Sequence, residues 1–264
     1  MRNHLRLTLL STFLLLCSTV VTAQDRTLLI SESGSPYTEQ AWFSYGWGAP
    51  IDEDDIANNW NLGKRIISAA YTREGWLLVM AKNTEYIHQA FSLTQEWPEE
   101  WIAEKTQSNY VITTISKSEK NWFVVMSQGS DISSQRVWRK DCSELAPWIR
   151  ENKASGYYIT DLVFDGEAWT VVMSRTNKYT TQGYFWSKSV PEMMDRVKSE
   201  VFAKGFNLHQ VVYGHGHYVV VYGNYSRGND RFQNLQVDPE DAKAYIRQQW
   251  NRSNSISYVG GGGL

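Results

Sequence analysis

The chain has 264 residues, a formal net charge of −2, 12 Trp, 15 Tyr and two Cys. Charges of both signs are interspersed, which argues against nucleic acid as a partner, since that wants a basic stripe. Beyond the N-terminal segment no apolar run is long enough to span a bilayer.

Residues 1–23 read as a secretory signal. Arg2 and Arg6 precede a short apolar core, Leu9 to Cys17, and Val21-Thr22-Ala23 offers small residues for cleavage before Gln24. The expectation is a secreted or periplasmic chain of residues 24–264, a monomer with 24 basic against 28 acidic side chains. Cys142 is its only thiol, so an intrachain disulfide is excluded, and the bland reading is a buried, inert Cys. A chain of this length buries enough surface to fold without a disulfide.

The rest of the chain repeats one frame. It reads WLLVMAKNTEYIHQ from Trp76 to Gln89, WFVVMSQGSDISSQ from Trp122 to Gln135, and WTVVMSRTNKYTTQ from Trp169 to Gln182. Met follows Trp by four and Gln follows Met by nine, and the Trp-to-Trp steps of 46 and 47 residues are those of propellers, solenoids or arrays. Each unit reads as a short helix and three strands. Its second strand is nearly continuously apolar, as burial on both faces requires. Pro50, Pro98, Pro147, Pro191 and Pro239 open the helices at spacings of 48, 49, 44 and 48, where a Pro costs no helix hydrogen bond. The units fall at about 45–93, 94–140, 141–188 and 189–237, the last degenerate, with Tyr218 where the others carry Trp.

A fifth unit is divided between the ends, residues 238–264 plus 24–44. The C-terminal part supplies a helix and one strand. The N-terminal part, Thr27 to Ser31 and Pro36 to Phe43, supplies the second and third strands, with Ser31 to Gln40 repeating the spacing of nine. The expected fold is therefore mainly β with short helices: a closed repeat toroid like a five-bladed β-propeller, its N-terminal strands pairing with the C-terminal one so that no sheet edge stays open. An open curved repeat array is the alternative.

Trp148-Ile149, Tyr157-Tyr158-Ile159-Thr160, Trp169, Val171-Val172-Met173-Ser174 and Gln182 give this unit a family likeness. It resembles the repeat domain of unknown function at the C-terminus of plant casein-kinase-like (MUT9-like) kinases, found also in bacterial secreted proteins. The resemblance implies a repeat domain without kinase activity. The chain has no Gly-rich loop with a following Val-Ala-x-Lys, no His-Arg-Asp and no Asp-Phe-Gly.

Several residues are candidates for a site. The recurrent Gln40, Gln89, Gln135 and Gln182 can line a channel and bind a polar ligand, or pair buried backbone groups between units. His215 and His217 can face one side and hold a metal, with His209 the nearest third ligand. Asp161 and Asp165 stand where other units carry Thr, Ser, Gln or Gly, and a glycosidase needs two such carboxylates in its pocket. No motif calls for a cofactor, and the missing nucleophile and metalloprotease motifs point away from an enzyme. The leading expectation is a secreted, non-catalytic binding or interaction module for an unknown protein, peptide or glycan. The alternative is a carbohydrate-active hydrolase with acids in a central pocket.

Overall fold

The computed structural model describes residues 26–140, 144–227 and 232–261. The leader expected at 1–23 and Cys142 lie outside the described residues.

The elements follow one another as β1 (Leu28–Glu32), β2 (Thr38–Tyr45), α1 (Glu53–Asn61), β3 (Arg65–Thr72), β4 (Gly75–Lys82), β5 (Gln89–Thr94), α2 (Glu99–Gln107), β6 (Val111–Lys117), β7 (Trp122–Ser127), β8 (Ser134–Lys140) and α3 (Leu145–Ala154). Then come β9 (Tyr158–Phe164), β10 (Trp169–Arg175), β11 (Tyr179–Ser187), α4 (Val190–Arg196), β12 (Asn207–Gly214), β13 (His217–Tyr225), β14 (Gln233–Val237), α5 (Ala242–Asn251) and β15 (Ser255–Gly260). The helices start where the prolines place them. Pro98 caps α2, and Pro191 sits in the first turn of α4, whose Ser189 accepts from the Glu192 N–H.

Among the described residues the strands form five antiparallel three-stranded sheets: β2-β4-β3, β5-β7-β6, β8-β10-β9, β11-β13-β12 and β14-β1-β15, called here the first to the fifth. The sheets cut across the sequence units. The third strand of each unit crosses to pair with the second strand of the next, as β5 does with β7 and β8 with β10. The two ends of the chain divide accordingly. β1 pairs with the C-terminal β15, whereas β2 pairs with β4 of the first sheet.

The middle strand of each sheet explains the Trp-x-Val-Val-Met pattern. Alternate residues on a strand face opposite ways. Trp122, Val124 and Met126 of β7 pack with Val163 and Val172 of the third sheet, and Phe123 and Val125 pack with Trp76, Leu78 and Met80 of the first. Trp169, Val171 and Met173 pack with Val212, Val219 and Val221 of the fourth sheet. Leu28 and Ile30 of β1 join Tyr218 and Val220 of the fourth sheet, and Leu29 joins Leu77 and Val79 of the first. Among the described residues five apolar cores result, each between two sheets. On their inner sides β3 lies beside β6, β6 beside β9, β9 beside β12, β12 beside β15 and β15 beside β3.

Candidate functional site

The first strand of each unit, on the inner side, is a sheet edge whose outward N–H and C=O groups need partners. The repeated Gln supplies them. Gln135 Oε1 accepts from Ile112 N–H at 2.7 Å and its Nε2 donates to Ile112 C=O at 2.7 Å and to Ser174 Oγ at 2.9 Å. The amide thus stands in for a peptide of a fourth strand. Gln89 does the same to Ile66, Gln182 to Ile159 and Gln40 to Ile256. A fifth residue joins the set: Gln233 accepts from Leu208 N–H at 2.6 Å and donates to Leu208 C=O at 3.0 Å. It follows Tyr222 by eleven residues rather than nine, and a search at the fixed spacing passes over it.

Directly after the clamped residue each inner strand carries a β-bulge. The bulge re-aims side chains away from the ladder. Two layers of five residues result. Ile67, Thr113, Thr160, His209 and Ser257 form one; Ser68, Thr114, Asp161, Gln210 and Tyr258 form the other. All ten line one cavity of about 800 Å³. Its mouth is built by the loops that follow the middle strands, including Tyr37, Glu85, Tyr86, Asp131, Lys178 and Arg227. Tyr258 also lines a hollow of about 10 Å³ on the far side, so it stands between the two spaces.

Asp161 is buried in this wall, at 7% exposure. Its Oδ2 accepts from Ile115 N–H of the neighbouring β6 at 2.7 Å, and its Oδ1 from Leu162 N–H at 2.8 Å and Gln210 Nε2 at 3.3 Å. Burial pushes the carboxyl up to about 7, against the pull of those three donors. Ser68 plays the same bridging part between the first and fifth sheets: its Oγ accepts from Val259 N–H and donates to Val259 C=O. His209 is stacked on Tyr179, ring centroids 4.4 Å apart, lies 4.8 Å from the Tyr225 ring, and meets Gln182 Nε2 through Nδ1 at 3.4 Å. Gly223 pairs opposite Gln182, where Ser127 and Ser174 pair opposite Gln89 and Gln135. The imidazole thus takes the place of the serine hydroxyl.

At the mouth Asp131 accepts from Thr176 Oγ1 at 2.7 Å and Asn177 N–H at 2.7 Å. Burial raises the Glu85 carboxyl, and the nearby Lys178 draws it back down. The Lys178 ammonium is held charged chiefly by Tyr179, against the cost of burial, with help from Tyr37, Tyr86 and Tyr225.

The other candidates are dispersed. Asp165 lies at the β9–β10 turn, at the opposite end of its strand from the mouth. There it accepts from Glu167 and Ala168 N–H and pairs with Arg139 at 3.1 Å. His215 and Gly216, both at positive φ, form the tight β12–β13 turn, and the His217 ring nitrogen Nδ1 meets His215 C=O at 2.8 Å. His209 sits at the other end of β12, six residues or about 20 Å of strand from His215. Among the described residues no group of three His, Cys, Asp or Glu side chains is placed to hold a metal ion. The four expected Gln residues are not among the residues lining the cavity.

A family model described as a domain of unknown function (DUF7477) matches residues 11–143, half of the chain, and the chain belongs to that family. No curated protein and no solved structure matches it. Among the described residues no helix is long and apolar enough to cross a membrane.

Proposed function

We propose that this family member is a non-catalytic binding module: a closed, propeller-like toroid of five sheets that holds a polar ligand in its central cavity. Closure is supported by the seam between the fifth and first sheets. It carries the same Gln clamp, through Gln40 on Ile256, and the same apolar filling as the four seams within the chain. The observation that carries the binding reading is the wall. Corresponding bulged positions of five sheets converge on one space, yet they present Ile, Thr, Thr, His and Ser, then Ser, Thr, Asp, Gln and Tyr. A scaffold alone calls for no such variety, whereas recognition of an asymmetric ligand does.

The reading takes residues 24–264 as one monomeric domain acting outside the cytoplasm, which the basic and apolar pattern of residues 1–23 supports. Kinship with the repeat domain of plant casein-kinase-like kinases belongs to the same proposal and rests on the shared unit motif. A filled cavity tests it. Thr113→Trp places an indole in the space; it gives up the Thr113 hydrogen bond to Ser127 Oγ but leaves that hydroxyl its bond from Gln89 Nε2. In thermal-shift screens against neutral and acidic mono- and disaccharides, the unaltered protein is expected to respond to at least one class and the variant to none. Binding that survives the filled cavity would move the site elsewhere.

One observation favours a second reading, a carbohydrate-active hydrolase. Asp161 lies in the cavity with a carboxyl raised into the range of a general acid. Both its oxygens, however, are already bound by the chain's own donors, which supports a bridging part instead. Release of nitrophenol from aryl glycosides, abolished in Asp161→Asn, would establish hydrolysis over binding.

A further inference from the structure

The charges at the cavity mouth are unequally satisfied. Asp131 is capped by Thr176 and Asn177, and Asp161 by Ile115, Leu162 and Gln210. The Glu85 carboxyl is lowered by the nearby Lys178 charge and by an N–H of Asp131. Lys178 has that neighbouring charge but no hydrogen-bonded partner. Among the described residues, the ammonium makes no hydrogen bond and no ion pair, and the hydroxyls of Tyr37, Tyr86 and Tyr179 make no hydrogen bond. These four groups come from three separate segments, Tyr179 being the first residue of β11, and face the same space. The ammonium stands 5.7 Å from the centre of the Tyr179 ring. Lys178 is half-buried at the cavity mouth, and an ammonium partly withdrawn from water is stabilised by a counter-charge. Phenol hydroxyls are donors that complete the coordination of an oxygen-bearing anion.

We infer that the mouth binds an oxyanion of the ligand, a carboxylate, sulfate or phosphate, through the Lys178 ammonium and the hydroxyls of Tyr37, Tyr86 and Tyr179. The inference rests on the cavity reading above and names the chemistry of its ligand. Glu85, at the rim, competes with that anion for Lys178. Arg227, on the neighbouring loop, adds positive charge at the entrance.

The test is calorimetric titration of the full chain with galacturonate, inorganic sulfate and inorganic phosphate, each at low millimolar concentration, with galactose as the neutral control. The expected result is binding of at least one anion, weakened by added salt and lowered at least tenfold in Lys178→Met. Lys178→Arg is expected to restore part of it, and Glu85→Gln to tighten it. The pattern among the three probes names the source: galacturonate alone indicates an acidic sugar, and sulfate or phosphate alone indicates a sulfated or phosphorylated ligand. Should Lys178→Met not fold, the double variant Tyr37→Phe, Tyr86→Phe keeps both rings and is expected to lose most of the affinity. The inference is overturned if no anion binds the unaltered protein, or if the variants bind it unchanged. Galactose binding that Thr113→Trp abolishes and Lys178→Met leaves intact would retain the cavity reading and discard the anion.

Discussion

The seams between sheets and the wall of the cavity are built from neighbouring residues of the same strands, yet they obey opposite rules. At the seam one solution recurs five times: an amide side chain pairs both backbone groups of an inner-strand residue. One residue further along, at the bulge, no two sheets except the second and third agree. A structural need that is identical at every joint selects one residue type. A surface that meets something external is free to differ at each position. The repeat therefore records the scaffold, and the departures from it mark the site.

The largest expected effect belongs to the seam. Gln135→Ala leaves the N–H and C=O of Ile112 unpaired, at a cost of about 2–4 kcal/mol. Gln233→Ala should cost a similar amount at the fourth seam. Urea unfolding of both variants checks this, and a cost under about 0.5 kcal/mol for Gln233 alone would mean that the fifth copy is not equivalent.

Asp161 comes next and sharpens the contrast, because it serves both regions. Its folded-state carboxyl sits near 7, above the ordinary 3.8, so the folded chain holds the proton more tightly than the unfolded one. Its contribution is fully present below about pH 4 and is lost as pH rises towards 7. Asp161→Asn resembles the protonated acid, so the stability of the variant should decline less between pH 4 and 7. Parallel denaturation curves across that range decide the point; identical slopes would contradict the buried-acid reading.

The smallest effect is expected at the hairpin turn. His215→Asn keeps a residue tolerant of the positive φ, and with His217→Ala it should change stability by no more than about 0.5 kcal/mol. It should also leave cavity binding unaltered in the titrations above. A larger loss would show that this end of β12 is coupled to the site.

The scaffold was legible in the sequence because its rules recur. Trp122, Met126 and Gln135 declare themselves by spacing, and the alternation Trp-x-Val-x-Met against Phe-x-Val reports two buried faces of one strand. The pairing of each third strand with the following unit was not legible, since a spacing repeat is unchanged by shifting where the unit begins. Gln233 was hidden by two extra residues ahead of β14. The wall was partly legible: Asp161 stands out against the Thr and Ser of other units, but a bulge has no residue signature, and without it His209 and Asp161 cannot be assigned to one space. Tyr37, Tyr86 and Tyr179 each precede a clamping Gln by three residues and Lys178 precedes Gln182 by four, so the repeat marks their positions, but only the fold turns them to one space. His215 and His217 attract notice as neighbours in sequence, and the fold carries His209 away from them.

The closed ring is the claim on which the rest depends, and Gln40 tests it most directly. Gln40 clamps Ile256, 216 residues away, across the seam between the first and last sheets. If that seam equals the others, Gln40→Ala unfolds in one cooperative urea transition, destabilised to the same extent as Gln135→Ala, by about 2–4 kcal/mol. A loss below about 0.5 kcal/mol, or a separate early transition confined to the terminal strands, would contradict closure.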